Sequence, residues 1–128
     1  MGDRSKNFSN HEFRCKCRLR APHLPECDQI FPPDELIDVM QDVRDHFGAP
    51  VAIHSGHRCP PYNAYVGGAK SSEHMKATAG DLTVKGVTPN EVQEYLLARY
   101  PDKYGIGRYN TFTHVDVRGY KARWDNRR

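Results

Sequence analysis

The sequence predicts an α+β domain in which helices flank a mainly antiparallel sheet. Two segments repeat apolar residues at spacings of three and four, which is typical of amphipathic helices. Four short segments with β-branched and aromatic residues indicate strands, and they do not alternate with helices in a regular βαβ repeat. Since 128 residues suffice for one hydrophobic core but not for two, we expect a single domain over residues 1–128.

Residues 1–30 are predicted to form an irregular N-terminal arm that carries three of the four cysteines. Within it, Ser9 and Glu12 have the spacing of a capping box, and Phe8 and Phe13 have that of a hydrophobic staple. This pattern predicts one short helical turn ahead of the cysteine-bearing loop.

The cysteines leave three interpretations open. Cys15, Cys17, Cys27 and Cys59 can form disulfides, a zinc site with four thiolates, or buried free thiols. The C-x-C spacing of the first pair differs from the C-x-x-C that is usual in zinc sites. Because Cys59 directly follows Arg58, any bond between Cys59 and the arm would hold the arm beside the central stretch of the chain.

The first long helix is predicted within FPPDELIDVMQDVRDHFG, residues 31–48. Pro33 is tolerated in a first helical turn, and Gly48 is a typical helix end. The apolar stripe of this helix comprises Leu36, Val39, Met40, Val43 and Phe47. Residues 51–55, VAIHS, then indicate a strand that leads into the central stretch, residues 55–81.

The second half of the chain repeats this strand and helix pattern. Residues 79–84 indicate a second strand, and Thr88, Pro89 and Glu91 occupy the N-cap, N1 and N3 positions of a second helix. That helix is expected to end before Pro101.

Two further strands are predicted at the end of the domain, in residues 104–109 and 111–117, with a tight turn near Asn110. Residues 120–128 are predicted to be a basic tail, for which a solvated terminus is as good an explanation as a binding partner.

Composition excludes several classes of partner. The net charge is only +3 and the basic residues are scattered, so we expect no nucleic-acid partner, and we expect a monomer. No apolar run reaches the roughly 18 residues that a membrane helix needs, and the first residues lack the apolar region of a secretory signal. We therefore expect no membrane insertion and synthesis in the cytoplasm without a signal peptide.

Candidate metal ligands lie in two distant segments. His74 and Asp81 belong to the central stretch, whereas His114 and Asp116 share one face of the predicted strand THVDV. Catalytic zinc sites use three imidazole or carboxylate ligands and leave a fourth position to water. Taken singly, a histidine is more often a surface or core residue, and an aspartate after a glycine more often belongs to a turn.

Several motifs in order resemble the zinc D-Ala-D-Ala carboxypeptidase family, in particular its small phage peptidases with the hedgehog/DD-peptidase fold. The S-x-H-x6-D motif is matched by Ser72, His74 and Asp81, the SG-x-R-x-P segment by Ser55, Gly56, Arg58 and Pro60, and the N-x-x-VGG run by Asn63, Val66, Gly67 and Gly68. The likeness covers most of the chain from about residue 34 to Val117.

The resemblance implies that His74, Asp81 and His114 bind Zn²⁺. Many relatives place a catalytic Glu or Asp three residues before the last histidine, where this chain has Thr111, which cannot act as a base. Asp116 is therefore expected to be the general base, as in the branch of the family that ends in H-x-D. In the alternative assignment, Asp116 binds the metal and His114 transfers the proton.

The resemblance also implies residues for substrate. Arg58 is expected to hold a substrate carboxylate or to stabilise the developing oxyanion, with a surface ion pair as the alternative. Ser72 and Asn63 are expected to hydrogen-bond the substrate peptide, or else to support the loop. Ala77 stands where relatives commonly have glycine, which is a mild change if its φ is negative.

The implied substrate is the peptide stem of bacterial peptidoglycan, cut at a bond that involves a D-amino acid by a carboxypeptidase or an endopeptidase. A phage endolysin released to the cell wall by a holin would fit the lack of a secretory signal. The alternative is a non-catalytic zinc module of the same fold that binds the wall or belongs to a virion.

Overall fold

The computed structural model describes residues 2–25, 27 and 29–128. Met1, Glu26 and Asp28, which belong to the predicted arm, lie outside the described residues. The helices are α1 (Cys17–Arg20), α2 (Asp34–Phe47), α3 (Pro60–Tyr65) and α4 (Pro89–Arg99), with two 3₁₀ turns at Asn10–Phe13 and Glu73–Lys76. The strands are β1 (Val51–Ser55), β2 (Ala79–Val84), β3 (Gly105–Arg108), β4 (Thr113–Asp116) and β5 (Ala122–Asp125).

The five strands form one sheet in the order β1-β2-β4-β3-β5. The pairs β1–β2, β2–β4 and β3–β4 are antiparallel, and only the pair β3–β5 is parallel. This mostly antiparallel sheet with its helices confirms the predicted α+β class and is consistent with the hedgehog/DD-peptidase fold.

The two long helices begin and end as their sequences predict. Pro33 is the N-cap of α2, and Gly48 ends the helix with φ at 60°, a left-handed value that glycine adopts without strain. At the start of α4, the side-chain oxygen of Thr88 accepts a hydrogen bond of 3.2 Å from the backbone N–H of Glu91.

The hydrophobic core lies between these helices and one face of the sheet. α2 contributes Leu36, Val39, Met40 and Val43, and α4 contributes Val92 and Leu96. Leu82 of β2 and Val115 of β4 are buried in the same core. Because side chains alternate along a strand, the neighbours of Leu82 and Val115 lie on the opposite face of the sheet.

The N-terminal arm packs against the end of β1. Phe8 and Phe13 are buried with their ring centroids 6.3 Å apart, and the N–H of Ser9 donates to the Glu12 carboxylate, as the capping pattern predicts. The backbone N–H of His57 donates to the carbonyl of Phe13 at 2.8 Å. The arm is thereby joined to residues 55–58, which carry the S-G-x-R motif of the central stretch.

Three elements differ from the prediction. The central stretch, predicted as a loop, contains α3 and the turn Glu73–Lys76, while the predicted tail contains β5. α3 begins with two prolines, whose fixed φ suits a first helical turn, but it is too short for an apolar period to show.

None of the helices in the described part of the chain combines the length and apolarity that crossing a membrane needs.

We predict that the core contact of α4 controls the stability of the domain. Leu96 is fully buried, so Leu96→Ala should lower the free energy of unfolding by about 2–5 kcal/mol in urea denaturation at a fixed excess of zinc. Leu19 is 68% exposed, and Leu19→Ala should change stability by no more than about 0.5 kcal/mol. Equal effects of the two substitutions would contradict the described core.

Candidate active site

Pairing of the two central strands brings the predicted ligands together. Asp81 of β2 lies directly opposite His114 of β4 in the antiparallel ladder. His74 comes from the 3₁₀ turn Glu73–Lys76, whose N-cap Ser72 accepts a hydrogen bond from the backbone N–H of His74 at 3.2 Å. The three side chains therefore meet on the face of the sheet that points away from the core.

Their donor atoms have the spacing of a metal site. Asp81 Oδ1 lies 3.3 Å from His74 Nε2 and 3.0 Å from His114 Nδ1, and all three donor atoms lie within 4.8 Å of one another. With zinc–ligand bonds of 2.0–2.1 Å, neighbouring ligands of a tetrahedral ion are about 3.3 Å apart. The residues present thus fit a zinc ion with three protein ligands.

Both histidine rings are held by their other nitrogen. His74 is buried, and its Nδ1 lies 2.7 Å from the carbonyl oxygen of Gly56, a contact that places the proton on Nδ1 and leaves Nε2 free to bind a metal. In His114 the two nitrogens exchange these roles. Its Nε2 lies 2.7 Å from Asp116 Oδ2, and its Nδ1 faces Asp81.

Asp116 has no free oxygen lone pair directed at the metal position. It is fully buried, and Arg118 donates to it from the side-chain Nε at 2.7 Å, from Nη2 at 2.8 Å and from the backbone N–H at 3.2 Å. Burial alone would raise the pKa of Asp116, but the hydrogen bonds from Arg118 and His114 outweigh it and hold that pKa well below its ordinary value.

Burial and hydrogen bonding also oppose each other in setting the pKa of His114 on β4 and of Asp81 on β2. Burial opposes charge on His114, yet its hydrogen bonds to Asp116 and Asp81 leave its pKa raised. For Asp81, burial is outweighed by the hydrogen bonds from His114 and His74, so its pKa is lowered. A carboxylate between two imidazoles is therefore ionised at neutral pH, as a metal ligand must be.

The ligand set His74, Asp81 and His114 is the one that the structure brings together. Asp116 lies behind His114 and is not among the grouped donor atoms, so the geometry favours the main assignment over the swapped one. The role of Asp116 as general base stays a prediction, and its contacts favour orientation of His114 instead.

A cavity of about 660 Å³ opens over the three ligands. Arg58 and Ser72 line one side, and Tyr109, Phe112 and Trp124 line another. Its volume lies within the range that is usual for ligand-binding pockets.

Arg58 has capacity for a further acceptor. Its Nη2 donates to Ser72 Oγ at 3.2 Å, while its Nε is buried and has no hydrogen-bond partner among the residues that the structure describes. Burial lowers the pKa of Arg58, although the charge of Asp81 opposes this shift. Since Arg58 lines the cavity, its guanidinium can meet a carboxylate or carbonyl oxygen there, but the buried Nε itself is not exposed to the cavity.

Asn63 is placed differently from the other predicted substrate residues. It is buried and does not line the cavity, and its Nδ2 donates to the carbonyl of Ala69 at 2.9 Å. A Cβ at Gly68 would lie 2.1 Å from Asn63 Oδ1, so the glycine is needed for this contact. Binding of substrate by Asn63 stays a prediction, and its contacts favour support of the loop.

Ala77 has a positive φ of 61° at the end of the turn that carries His74. The substitution of the common glycine is therefore not mild, since a left-handed conformation costs an L-residue about 1–2 kcal/mol. The surrounding strand and turn hold this strained residue between the first two ligands.

Sequence reasoning did not find Phe112 and Trp124, two of the three aromatic residues that line the cavity. Trp124 of β5 packs against His114 with ring centroids 5.0 Å apart, and its Nε1 donates to the hydroxyl of Tyr109 at 2.9 Å. Gly107 makes room for the indole, because a Cβ there would lie 2.4 Å from it. In the sequence, Gly105 and Gly107 on either side of Ile106 indicate that another group packs closely on this strand. They do not show which residue that is.

Comparison with known families agrees with this geometry. The family model described as Peptidase M15 matches residues 6–116, which is more than half of the chain. No curated protein matches the sequence.

We predict that Asp116 acts on the metal through His114. Asp116→Asn keeps the shape of the side chain but weakens the hold on the imidazole, so zinc affinity should fall by about 10–100-fold, with turnover restored at saturating zinc. A general base would behave differently, since its loss costs about 10²–10⁴ in turnover at any zinc concentration. Zinc competition with a chromogenic chelator and turnover at saturating zinc separate the two roles.

Asp125 provides the matched control for that substitution. It accepts the same three hydrogen bonds from Arg127, two residues on, as Asp116 does from Arg118, but it lies outside the cavity. Asp125→Asn should leave both zinc affinity and turnover unchanged. Wild-type zinc affinity in Asp116→Asn together with lost turnover at saturating zinc would assign Asp116 as the base.

Proposed function

Since this chain belongs to the peptidase M15 family, we propose that it is a zinc-dependent peptidase that hydrolyses the peptide stem of bacterial peptidoglycan. The observation that carries the proposal is the convergence of His74, Asp81 and His114 at the base of an open cavity. The motifs shared with D-Ala-D-Ala carboxypeptidases support the choice of substrate.

The donor set supports zinc as the metal. Two imidazoles and one carboxylate at tetrahedral spacing are typical of catalytic zinc, which keeps its fourth position open. Zinc bound there would supply a water with its pKa lowered to about 7 and would polarise the scissile carbonyl. The protein's own contribution is to hold both rings through Gly56 and Asp116 so that the three donors stay aimed at one point.

Arg58 is proposed to bind the substrate beside the metal position. Arg58 lines the same cavity as the metal ligands, and its Nη2 donates to Ser72 there, whereas its unpaired Nε is buried. The planar guanidinium can donate two parallel hydrogen bonds to a terminal carboxylate, as a D,D-carboxypeptidase needs, or to a developing oxyanion, as an endopeptidase needs.

The cell wall is the proposed place of action, reached by an endolysin-like phage protein after holin-type release. The aromatic wall of Tyr109, Phe112 and Trp124 supports binding of an extended peptide beside the metal position. Small Gly67, Gly68 and Ala69 line the cavity close to Arg58 and let a peptide backbone approach there.

A non-catalytic zinc module of the same fold is the second candidate function. Thr111 is exposed where many relatives have an acidic residue, and the oxygens of Asp116 are fully engaged. If no other group accepts the proton of the metal-bound water, this arrangement favours a wall-binding or virion-structural role. Binding to the wall without cleavage would support it.

We predict that the zinc-loaded protein releases new peptide ends from purified peptidoglycan. Mass spectrometry of the digest should show stem peptides shortened at a bond that involves D-alanine, or cross-links cut within the bridge. His74→Ala should abolish release because the metal loses one ligand, whereas His46→Ala on α2 is the matched control and should leave release intact. No new ends with the wild-type protein and saturating zinc would overturn the enzymatic proposal.

We predict that Arg58 contributes mainly to substrate binding. Arg58→Lys keeps the positive charge but loses the paired donors, so KM should rise by about 10–100-fold, which corresponds to the loss of one hydrogen bond to a charged group. Arg44→Lys on α2 makes the same change outside the cavity and should leave KM unchanged. A wild-type KM for Arg58→Lys would show that the Arg58 guanidinium does not bind the substrate.

A further inference from the structure

The four cysteines form a second group of potential metal ligands, well separated in sequence from the first. Three of them, Cys15, Cys17 and Cys27, belong to the N-terminal arm, and Cys59 comes from the central stretch. All four are free thiols, and their sulfur atoms lie within 4.8 Å of one another.

The sulfur spacing fits metal coordination better than disulfide bonding. Cys15 Sγ and Cys59 Sγ are 3.7 Å apart, and Cys17 Sγ and Cys27 Sγ are 3.3 Å apart. A disulfide requires about 2.0 Å. Four sulfurs at 2.3 Å from one tetrahedral zinc ion are about 3.8 Å apart, close to the separations observed here.

The surroundings are those of a closed structural site. Cys15, Cys17 and Cys59 are buried, and the side chain of Tyr62 packs against them. The backbone N–H of Cys59 points at Cys15 Sγ at 3.3 Å, and the side-chain amide of Gln29 points at Cys27 Sγ at 3.7 Å. Donors aimed at sulfur stabilise the thiolate form that binds a metal.

The local charge also favours an anionic centre. A zinc ion with four thiolates carries a net charge of −2, and basic residues alternate with the cysteines in R-C-K-C-R, residues 14–18. Burial, and to a lesser extent the nearby charges of Arg20 and Arg14, lower the pKa of Lys16. An anionic cluster beside them would relieve their mutual repulsion.

We propose that Cys15, Cys17, Cys27 and Cys59 bind one structural zinc ion. This ion joins the N-terminal arm to the central stretch, residues 55–81. Cys59 is the N-cap of α3 and directly follows Arg58, so the ion holds the backbone of the proposed substrate-binding arginine. With four protein ligands it has no open position for water, and its role is structural. The site does not depend on the chemistry of the first centre.

Metal counting under reducing conditions tests the proposal. Wild-type protein should hold two zinc ions per chain, one for each ligand group. His74→Ala and Cys27→Ser should each reduce the count to one, and His23→Ala, which removes an arm histidine outside the group, should keep both ions. One zinc ion per chain in both the wild type and Cys27→Ser would overturn the proposal.

Cobalt substitution identifies the ligands without relying on folding of a cysteine variant. The cobalt-loaded His74→Ala protein should show strong sulfur-to-cobalt charge-transfer absorption in the near ultraviolet, even if it cleaves nothing. Thiol titration of the zinc-loaded protein in denaturant with a chelator should return four thiols. No charge-transfer band, or fewer than four thiols because disulfides have formed, would contradict a tetrathiolate site.

Discussion

The antiparallel pairing of β2 with β4 is the constraint on which the site depends. It sets Asp81 opposite His114 on one face, while Leu82 and Val115 enter the core on the other. A slip of one residue in this register would exchange the two faces, burying the ligands and exposing the apolar residues. The free energy of the core therefore holds the metal ligands in register, although no core residue touches the metal position.

Around that pair, one series of polar contacts crosses the site. Hydrogen bonds join Arg118 to Asp116, Asp116 to His114, His114 to Asp81, and His74 to the carbonyl of Gly56. Between them, Asp81 Oδ1 and His74 Nε2 lie 3.3 Å apart as neighbouring donor atoms of the candidate metal site. Acidic groups alternate with basic or imidazole groups, so each imidazole is held on both sides. Because these side chains are already held in place, they lose little conformational freedom when they bind an ion. This is the physical reason why buried, hydrogen-bonded groups lie behind the predicted ligands.

Most of this arrangement was predictable from local patterns. Both long helices and the strand pair follow from capping residues and apolar spacing, and the structure confirms them. The structure also brings His74, Asp81 and His114 together, as the resemblance implies, and their binding of zinc stays a prediction. β5 was not predicted, because its alternation of apolar and polar residues spans only four positions in a charged segment and its parallel partner β3 is not adjacent in sequence. The grouping of Cys59 with the arm depends on a contact between residues 44 positions apart, which no local pattern reveals.

The close approach of the arm to Gly56 affects how this domain can be divided. A Cβ at Gly56 would lie 2.6 Å from the backbone of Phe13, and the carbonyl of the same glycine holds the ring of His74. The motifs begin at Ser55, yet the family match extends from residue 6, and one predicted metal ligand is supported by a glycine that packs directly on Phe13. The smallest segment that could be moved to another protein as a working unit is therefore larger than its motifs. A chimaera that begins at the first motif would carry all three predicted ligands but would lack the arm that supports His74 through Gly56.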